Sequence, residues 1–212
     1  MTTPRNPNGA SGTDEFRPRT SKTLAYIMWS LAAIALVSSL ASGVAGLLGI
    51  PLALAVAFAG YWLFWFPKVM LDDGGVTLVN PVRTVSVPWA ALITVDTKFA
   101  LKLVTPAGSY TAWAAPAPGV VGTYRAKPHD VRNLPSTSFG PEGSMRPGDL
   151  KNSDSGAAAY LIRSRWAVLV ESGLLDVEQT ETTAVTIRRN WLHVGAAVVL
   201  LLAVALILSG LG

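Results

Sequence analysis

Val76-Thr-Leu-Val-Asn-Pro-Val-Arg-Thr-Val-Ser-Val-Pro-Trp-Ala-Ala-Leu-Ile-Thr-Val-Asp96, then Phe99-Ala-Leu-Lys-Leu-Val-Thr105, Pro106-Ala-Gly108 and Tyr110-Thr-Ala-Trp113, is the stretch that decides the fold. Its short β-branched runs are divided by turn residues. Val82, Thr84 and Ser86 alternate with Arg83, Val85 and Val87. Phe99, Leu101 and Leu103 alternate with Ala100, Lys102 and Val104. A period of two marks strands whose two faces differ, and the close spacing predicts antiparallel hairpins. Val69-Met-Leu71 adds a strand upstream, joined by Asp72-Asp-Gly-Gly75, which reads as a turn using positive φ. Five or six strands are expected, forming one small bent antiparallel sheet or partial barrel over residues 67–115.

Such a sheet needs a cover. Ala159, Ile162, Trp166, Leu169 and Gly173 recur at helical spacing, which predicts a capping helix over 156–173, with Arg163, Ser164 and Glu171 falling off its apolar face. Asp154 or Ser155 is the expected N-cap and Gly173 the C-terminal stop. Strands followed by one amphipathic helix make an α+β module. Residues 116–155, rich in Pro, Gly, Ser and Ala, read as a flexible linker, or as a segment that orders on meeting a partner. Residues 174–189 read as a connector or short strand.

Half of the residues are hydrophobic and only 14% are charged, too apolar for a soluble domain of this length. No charge occurs between Lys22 and Lys68, about 45 residues, where one spanning helix needs ~20. A transmembrane hairpin over 23–66 follows, with spans near Leu24–Ser42 and Leu47–Phe66 and a turn at Gly43, Gly46, Gly49 and Pro51. A cleavable signal would not need the second half. Tyr61, Trp62, Trp65 and Phe66 read as an interfacial aromatic belt, with helix–helix packing as the alternative. A third transmembrane helix is expected over 190–212, with His193 as an interfacial residue at its start. Residues 1–22 read as a disordered cytoplasmic tail. Arg17, Arg19, Lys22, Lys68, Arg188 and Arg189 flank span ends that three crossings place on one side. The positive-inside rule makes that side the cytoplasm, with the C-terminus outside the plasma membrane.

Chemical motifs are sparse. There is no phosphate-binding loop, no His-Glu-x-x-His pair and no Gly-x-Ser-x-Gly elbow, and the absence of cysteine excludes thiol catalysis, disulfides and thiolate metal sites. His129-Asp130 pairs a histidine with a carboxylate but offers no positioned nucleophile. Asp72-Asp73 before two glycines fits a turn better than a metal site. The expectation is no enzyme, no catalytic residue, no cofactor and no metal. The net charge of +4 carries no basic run, which argues against nucleic acid. Trp89, Trp113 and Trp166 read as structural aromatics. Arg83, Lys98 and Lys102 could form a basic face for anionic headgroups or an acidic peptide, or be solvated strand charges.

Asp73-Gly-Gly-Val-Thr-Leu-Val-Asn-Pro-Val-Arg-Thr84, Val87-Pro-Trp89 and Ala112-Trp-Ala-Ala-Pro-Ala-Pro-Gly119 resemble the small PH-like domain of actinobacterial membrane proteins of the low-molecular-weight protein antigen 6 type. The resemblance spans about Tyr61 to Gly119. It implies a bent antiparallel sheet closed by a C-terminal helix, placed just after a membrane hairpin, and it implies no catalytic residues. Animal relatives that bind phosphoinositides carry a denser basic loop between the first strands. Asp72 and Asp73 occupy that place here. The function expected is a membrane protein presenting a cytoplasmic PH-like domain as a protein-interaction or scaffolding module, with a second copy among the candidate partners. The alternative is an anionic-lipid or small-ligand sensor at the same face.

Overall fold

The computed structural model describes residues 13–46, 49–118, 147–150, 153–173 and 183–210. Strand β1 (Asp14–Phe16) precedes helix α1 (Arg19–Ala41). A short helix, α2 (Gly43–Gly46), turns the chain into α3 (Ile50–Ala59), which begins with a proline in its first turn. There the missing N–H of proline costs nothing. α3 widens into a π-helical turn over Gly60–Trp65. It packs against α1, and Gly60 permits the close approach: a Cβ there would lie 2.9 Å from Met28 Cβ.

Strands β2 (Lys68–Leu71), β3 (Gly75–Val79) and β4 (Arg83–Pro88) follow as hairpins. Trp89–Ala91 forms a 3₁₀ turn. Then come β5 (Thr94–Asp96), β6 (Ala100–Thr105) and β7 (Gly108–Pro116). A second 3₁₀ turn (Pro147–Asp149) leads to the capping helix α4 (Asp154–Glu171). Strand β8 (Thr186–Arg189) runs into the last helix, α5 (Trp191–Gly210).

The expected single sheet is two. One has five antiparallel strands in the order β1-β2-β3-β4-β8, and the other has β5-β6-β7. Pro88 and the 3₁₀ turn after it interrupt the ladder, because proline cannot donate and the turn redirects the chain. The two sheets and α4 enclose one core, with Val69, Leu78, Val85, Leu101, Leu103 and Ile162 fully buried. Trp166 and Leu169 pack on its edge, as the helical spacing predicts.

Both ends of the chain contribute strands that composition concealed. β1 lies inside the segment read as a disordered tail and pairs with β2. β8 lies in the expected connector and pairs with β4, Thr186 opposite Ser86 through Arg189 opposite Arg83. Neither strand has enough apolar residues to declare itself; each exists because a neighbouring strand offers unpaired backbone groups. Residues 1–12 of the tail lie outside the described residues.

The linker also ends sooner than expected. Residues 119–146, with His129 and Asp130, lie outside the described residues, but Pro147–Leu150 is built into the fold. The N-cap is Ser153, whose Oγ accepts from Gly156 N–H at 2.9 Å, in place of Asp154 or Ser155. Gly173 ends the helix at φ +67°, as its position predicts. Arg163, read as lying off the buried face, is largely buried, its side chain 10% exposed, and is paired with Asp149 at 2.7 Å. Its other amino group donates to Val95 O, also at 2.7 Å.

The Asp72–Gly75 turn forms without positive φ; among the described glycines only Gly43, Gly108 and Gly173 have it. Asp72 Oδ1 instead accepts from the N–H groups of Gly74 (2.8 Å) and Gly75 (2.9 Å), an Asx turn. Gly75 is needed for space, since a Cβ would stand 2.2 Å from Val87 O across the ladder. Gly75→Val is therefore expected to cost about 1–3 kcal/mol by forcing β3 from β4. A denaturation midpoint equal to the parent's would contradict this close approach.

α1 is long and apolar enough, over Thr20–Ala41, to cross a membrane. Ile50–Trp65 and Trp191–Ile207 are apolar but shorter helices, so among the described residues one helix of spanning length stands where three were expected. The second is shortened where the α2 turn interrupts the apolar run. The aromatic group at its end packs between helices, which was the alternative to a belt. Trp65 lies against Tyr26 and Trp29 of α1, and Phe66 against His193 of α5 with ring centroids 4.2 Å apart.

Candidate functional site

The sheets are tied to the helices by side chains that bond to backbone. Trp62 Nε1 donates to Pro81 O at 3.0 Å, and Trp113 Nε1 to Leu63 O at 2.8 Å. Arg17 donates to Trp65 O at 2.9 Å. Asn80 is the centre of this junction. Its Nδ2 donates to Thr111 O and its Oδ1 accepts from Trp113 N–H, joining the β3–β4 turn to β7. Asn190 donates to Asn80 O at 2.8 Å and accepts from Thr84 Oγ1, fixing the entry to α5. Neutral amides suit such a joint, because each offers both donors and acceptors to backbone that would otherwise be unpaired.

Between this junction and the open end of the sheets lies a cleft of about 1130 Å³. Leu24, Trp62, Leu63 and Phe64 line its helix side; Pro81, Val82, Trp113 and Ile187 line its sheet side. Its cations are Arg83 and Arg189, which stand directly opposite in the β4–β8 pair. Opposite residues share a face, and like charges there repel. They share that face with Val85 and Val87, so both arginines belong to the core-facing side at its open end. Among the described residues neither has a carboxylate partner, although Arg189 lies over the Trp191 ring at 5.4 Å. Asp154 is the one acid on the lining; burial pushes its carboxyl pKa upward, and it makes no ion pair with either arginine.

The three cations singled out from sequence do not share one face. Arg83 reaches the cleft. Lys102 is paired with Asp96 of β5 at 3.3 Å, and Lys98 lies over the Phe99 ring at 5.1 Å. The difference is one of topology: Arg83 is on the larger sheet and the lysines belong to the smaller. Phe99 is 80% exposed, outside the buried row of Leu101 and Leu103. Trp89 is 2% exposed, with Nε1 donating to Asp72 O at 2.9 Å. Trp113 is 55% exposed and belongs to the junction, not to the core. Sequence reasoning missed Arg189, read as a membrane flank, and Asn80, read only as a turn residue. An amide before proline at the end of a strand was the available signal for Asn80.

Both residues of Asp72-Asp73 have structural partners, since Asp73 accepts from Arg165 at 2.6 Å and Asp72 shapes its turn. Among the described residues no three His, Cys, Asp or Glu side chains gather into a metal-binding group.

Glu15 clamps β1 to the base of the helices, accepting from Lys68 at 2.8 Å and from Arg17. The Lys68 hydrogen bond, with Arg17 adding to it and burial opposing, holds its carboxyl pKa below the usual value of 4.5. A depressed carboxylate stabilises above its unfolded pKa and loses that stabilisation as pH falls through the folded one. Glu15 is 38% exposed, so solvent screening limits the effect to about 1 kcal/mol or less. Glu15→Gln is expected to lower the denaturation midpoint at pH 7, with the gap closing below pH ~4. A gap independent of pH would contradict the clamp.

Residues 66–136 match a family described as a bacterial PH domain. The match covers the strands β2 to β7 and stops short of α4, β8 and the helices at either end. The chain is thus similar to bacterial PH domains over about a third of its length, and such domains are generally non-catalytic. No curated protein and no solved structure matched.

Proposed function

We propose that this protein holds a PH-like domain against the cytoplasmic face of the plasma membrane, where it acts as a protein-interaction or scaffolding module without catalysis. In this reading α1 spans the bilayer, and the two shorter apolar helices, α3 packed on both α1 and α5, lie in it beside α1. The N-terminus and both sheets face the cytoplasm, and the C-terminus lies outside. The resemblance to the antigen 6 type of actinobacterial membrane protein supports a membrane hairpin just before the domain; the last helix, α5, is an addition to that pattern.

One observation carries the reading. β8 is an edge strand with all four residues exposed, and it leads through Asn190 directly into α5. An exposed edge offers unpaired backbone groups to an extended segment of another chain. Arg188, on the face of that strand turned away from the cleft, suits an acidic segment. Tethering confines the edge to the layer above the membrane, so modest affinity for another membrane-bound chain suffices. A second copy meeting edge to edge is the other occupant this geometry admits.

A photo-crosslinking residue at Thr186, on the face of β8 turned away from the cleft, tests the edge in native membranes. Recovery of a discrete protein adduct, or of a dimer, is expected. No adduct from Thr186, with one from an exposed control such as Ser109, would overturn the assignment of this edge.

A further inference from the structure

We propose that the cleft between helices and sheets seats one anionic phospholipid, its phosphate between Arg83 and Arg189 and an acyl chain along Leu24, Trp62 and Leu63. The proposal rests on the membrane placement of the helices given above, and not on the protein partner at β8.

Three features point to this occupant. The first is the arginine pair. Two guanidinium groups opposite one another on a shared face are unfavourable in isolation. An anion between them reverses the sign of that interaction, and guanidinium forks match phosphate oxygens bidentately. The second is the wall. On the helix side it is apolar, built from Leu24 near the start of α1 and from Trp62, Leu63 and Phe64. A free phosphate would make no use of this surface, whereas a lipid tail would bury it. The third is position. Arg189 stands two residues before Trp191, the first residue of α5, and Lys68 follows the end of the α3 region by a similar distance. These flanks put the arginines at the level where headgroups lie and the helix wall at the level of acyl chains. Lys98 and Lys102 are absent from the lining, so the specificity belongs to the β4–β8 pair.

The test uses the full chain, purified in a neutral detergent, with phosphatidylglycerol and phosphatidylcholine of identical acyl chains, read by native mass spectrometry and thermal unfolding. One equivalent of phosphatidylglycerol is expected to be retained, at about tenfold or greater preference, the scale of one or two charge-assisted hydrogen bonds. Arg83→Gln with Arg189→Gln is expected to abolish the preference. Without lipid that double variant should unfold no lower than the parent, because it removes a repulsion. Arg188→Gln, paired with Thr84 on the opposite face of β8, is expected to keep the preference. Val82→Trp, which keeps both arginines but fills the cleft, is expected to lose the lipid.

Equal retention of the two lipids would overturn the proposal. So would an unchanged preference in the double variant, or an equal loss in Arg188→Gln, which would indicate general attraction to the basic rim. Displacement of phosphatidylglycerol by equimolar inorganic phosphate would mean that only the headgroup is bound, and would overturn the acyl-chain assignment. A negative lipid result would leave the crosslink at β8 untouched, so the two readings fail separately.

Discussion

Arg163→Met is expected to lower stability by about 3–5 kcal/mol, the scale for leaving one member of a buried ion pair without its partner. Asp149 and Arg163 meet at 2.7 Å with side chains 5% and 10% exposed. Without the guanidinium, the Asp149 carboxylate would keep only the Thr97 hydroxyl, at 2.8 Å, and Val95 O would lose its donor. The same pair closes the junction between the Pro147–Leu150 segment and the sheets. Ser153 and Ser155 both donate to Gly148 O, and a Cβ on Gly148 would fall 1.9 Å from Thr97 O. The segment therefore has little room to shift in response. Denaturation of the parent, Arg163→Met and Arg163→Met with Asp149→Leu provides the check. The double variant should recover much of the loss, because an apolar pair leaves no charge stranded. If Arg163→Met alone were neutral, the segment would not be fastened to the sheets in the way described.

Trp89→Ala is expected to cost about 3–5 kcal/mol, the usual range for removing a buried large aromatic. Trp89 sits where the chain leaves the larger sheet for the smaller one, and its backbone N–H donates to Gly74 O at 3.2 Å. With Nε1 on Asp72 O, the residue ties the sheet-switching turn to the Asp72–Gly75 turn. Trp89→Phe keeps most of the packing and loses the side-chain bond, so a smaller loss of about 0.5–1.5 kcal/mol plus a repacking term is expected. Trp113→Phe should behave differently, since its ring is half exposed and its bond to Leu63 O joins the domain to the helix. It should loosen the domain from the helices more than it lowers the domain's own midpoint. Equal losses at Trp89 and Trp113 would contradict the separation of core from junction.

The parts of this fold legible in sequence are those that the hydrophobic pattern determines. Val69, Leu71, Val85, Val87, Leu101 and Leu103 alternate with less buried residues and are all buried, and β2 to β7 follow. Ile162, Trp166 and Leu169 located the capping helix because a 3.6-residue stripe must meet a core. What stayed hidden depends on pairing across long separations. β1 and β8 contain Asp-Glu-Phe and Thr-Ile-Arg-Arg, whose composition suits a tail or a membrane flank equally well. They become strands only because β2 and β4 present free edges. Arg163 looked like a surface residue because its partner, Asp149, lies in a stretch with no periodicity. For the site, Arg83 was visible as a strand cation. Its placement opposite Arg189 was not, since that follows from a register linking residues more than one hundred positions apart. Lys98 and Lys102 were grouped with it by proximity in sequence, and the division into two sheets separated them.

The claim on which the account depends most is that the helices place both sheets on the inner side of the membrane. The chain has no cysteine, so single substitutions report without background. Ser42→Cys marks the turn after α1, and Ser109→Cys marks the exposed start of β7. With a membrane-impermeant maleimide on intact cells, Ser42→Cys should be labelled at once and Ser109→Cys only after permeabilisation. Labelling of Ser109→Cys in intact cells, with Ser42→Cys protected until permeabilisation, would contradict the account.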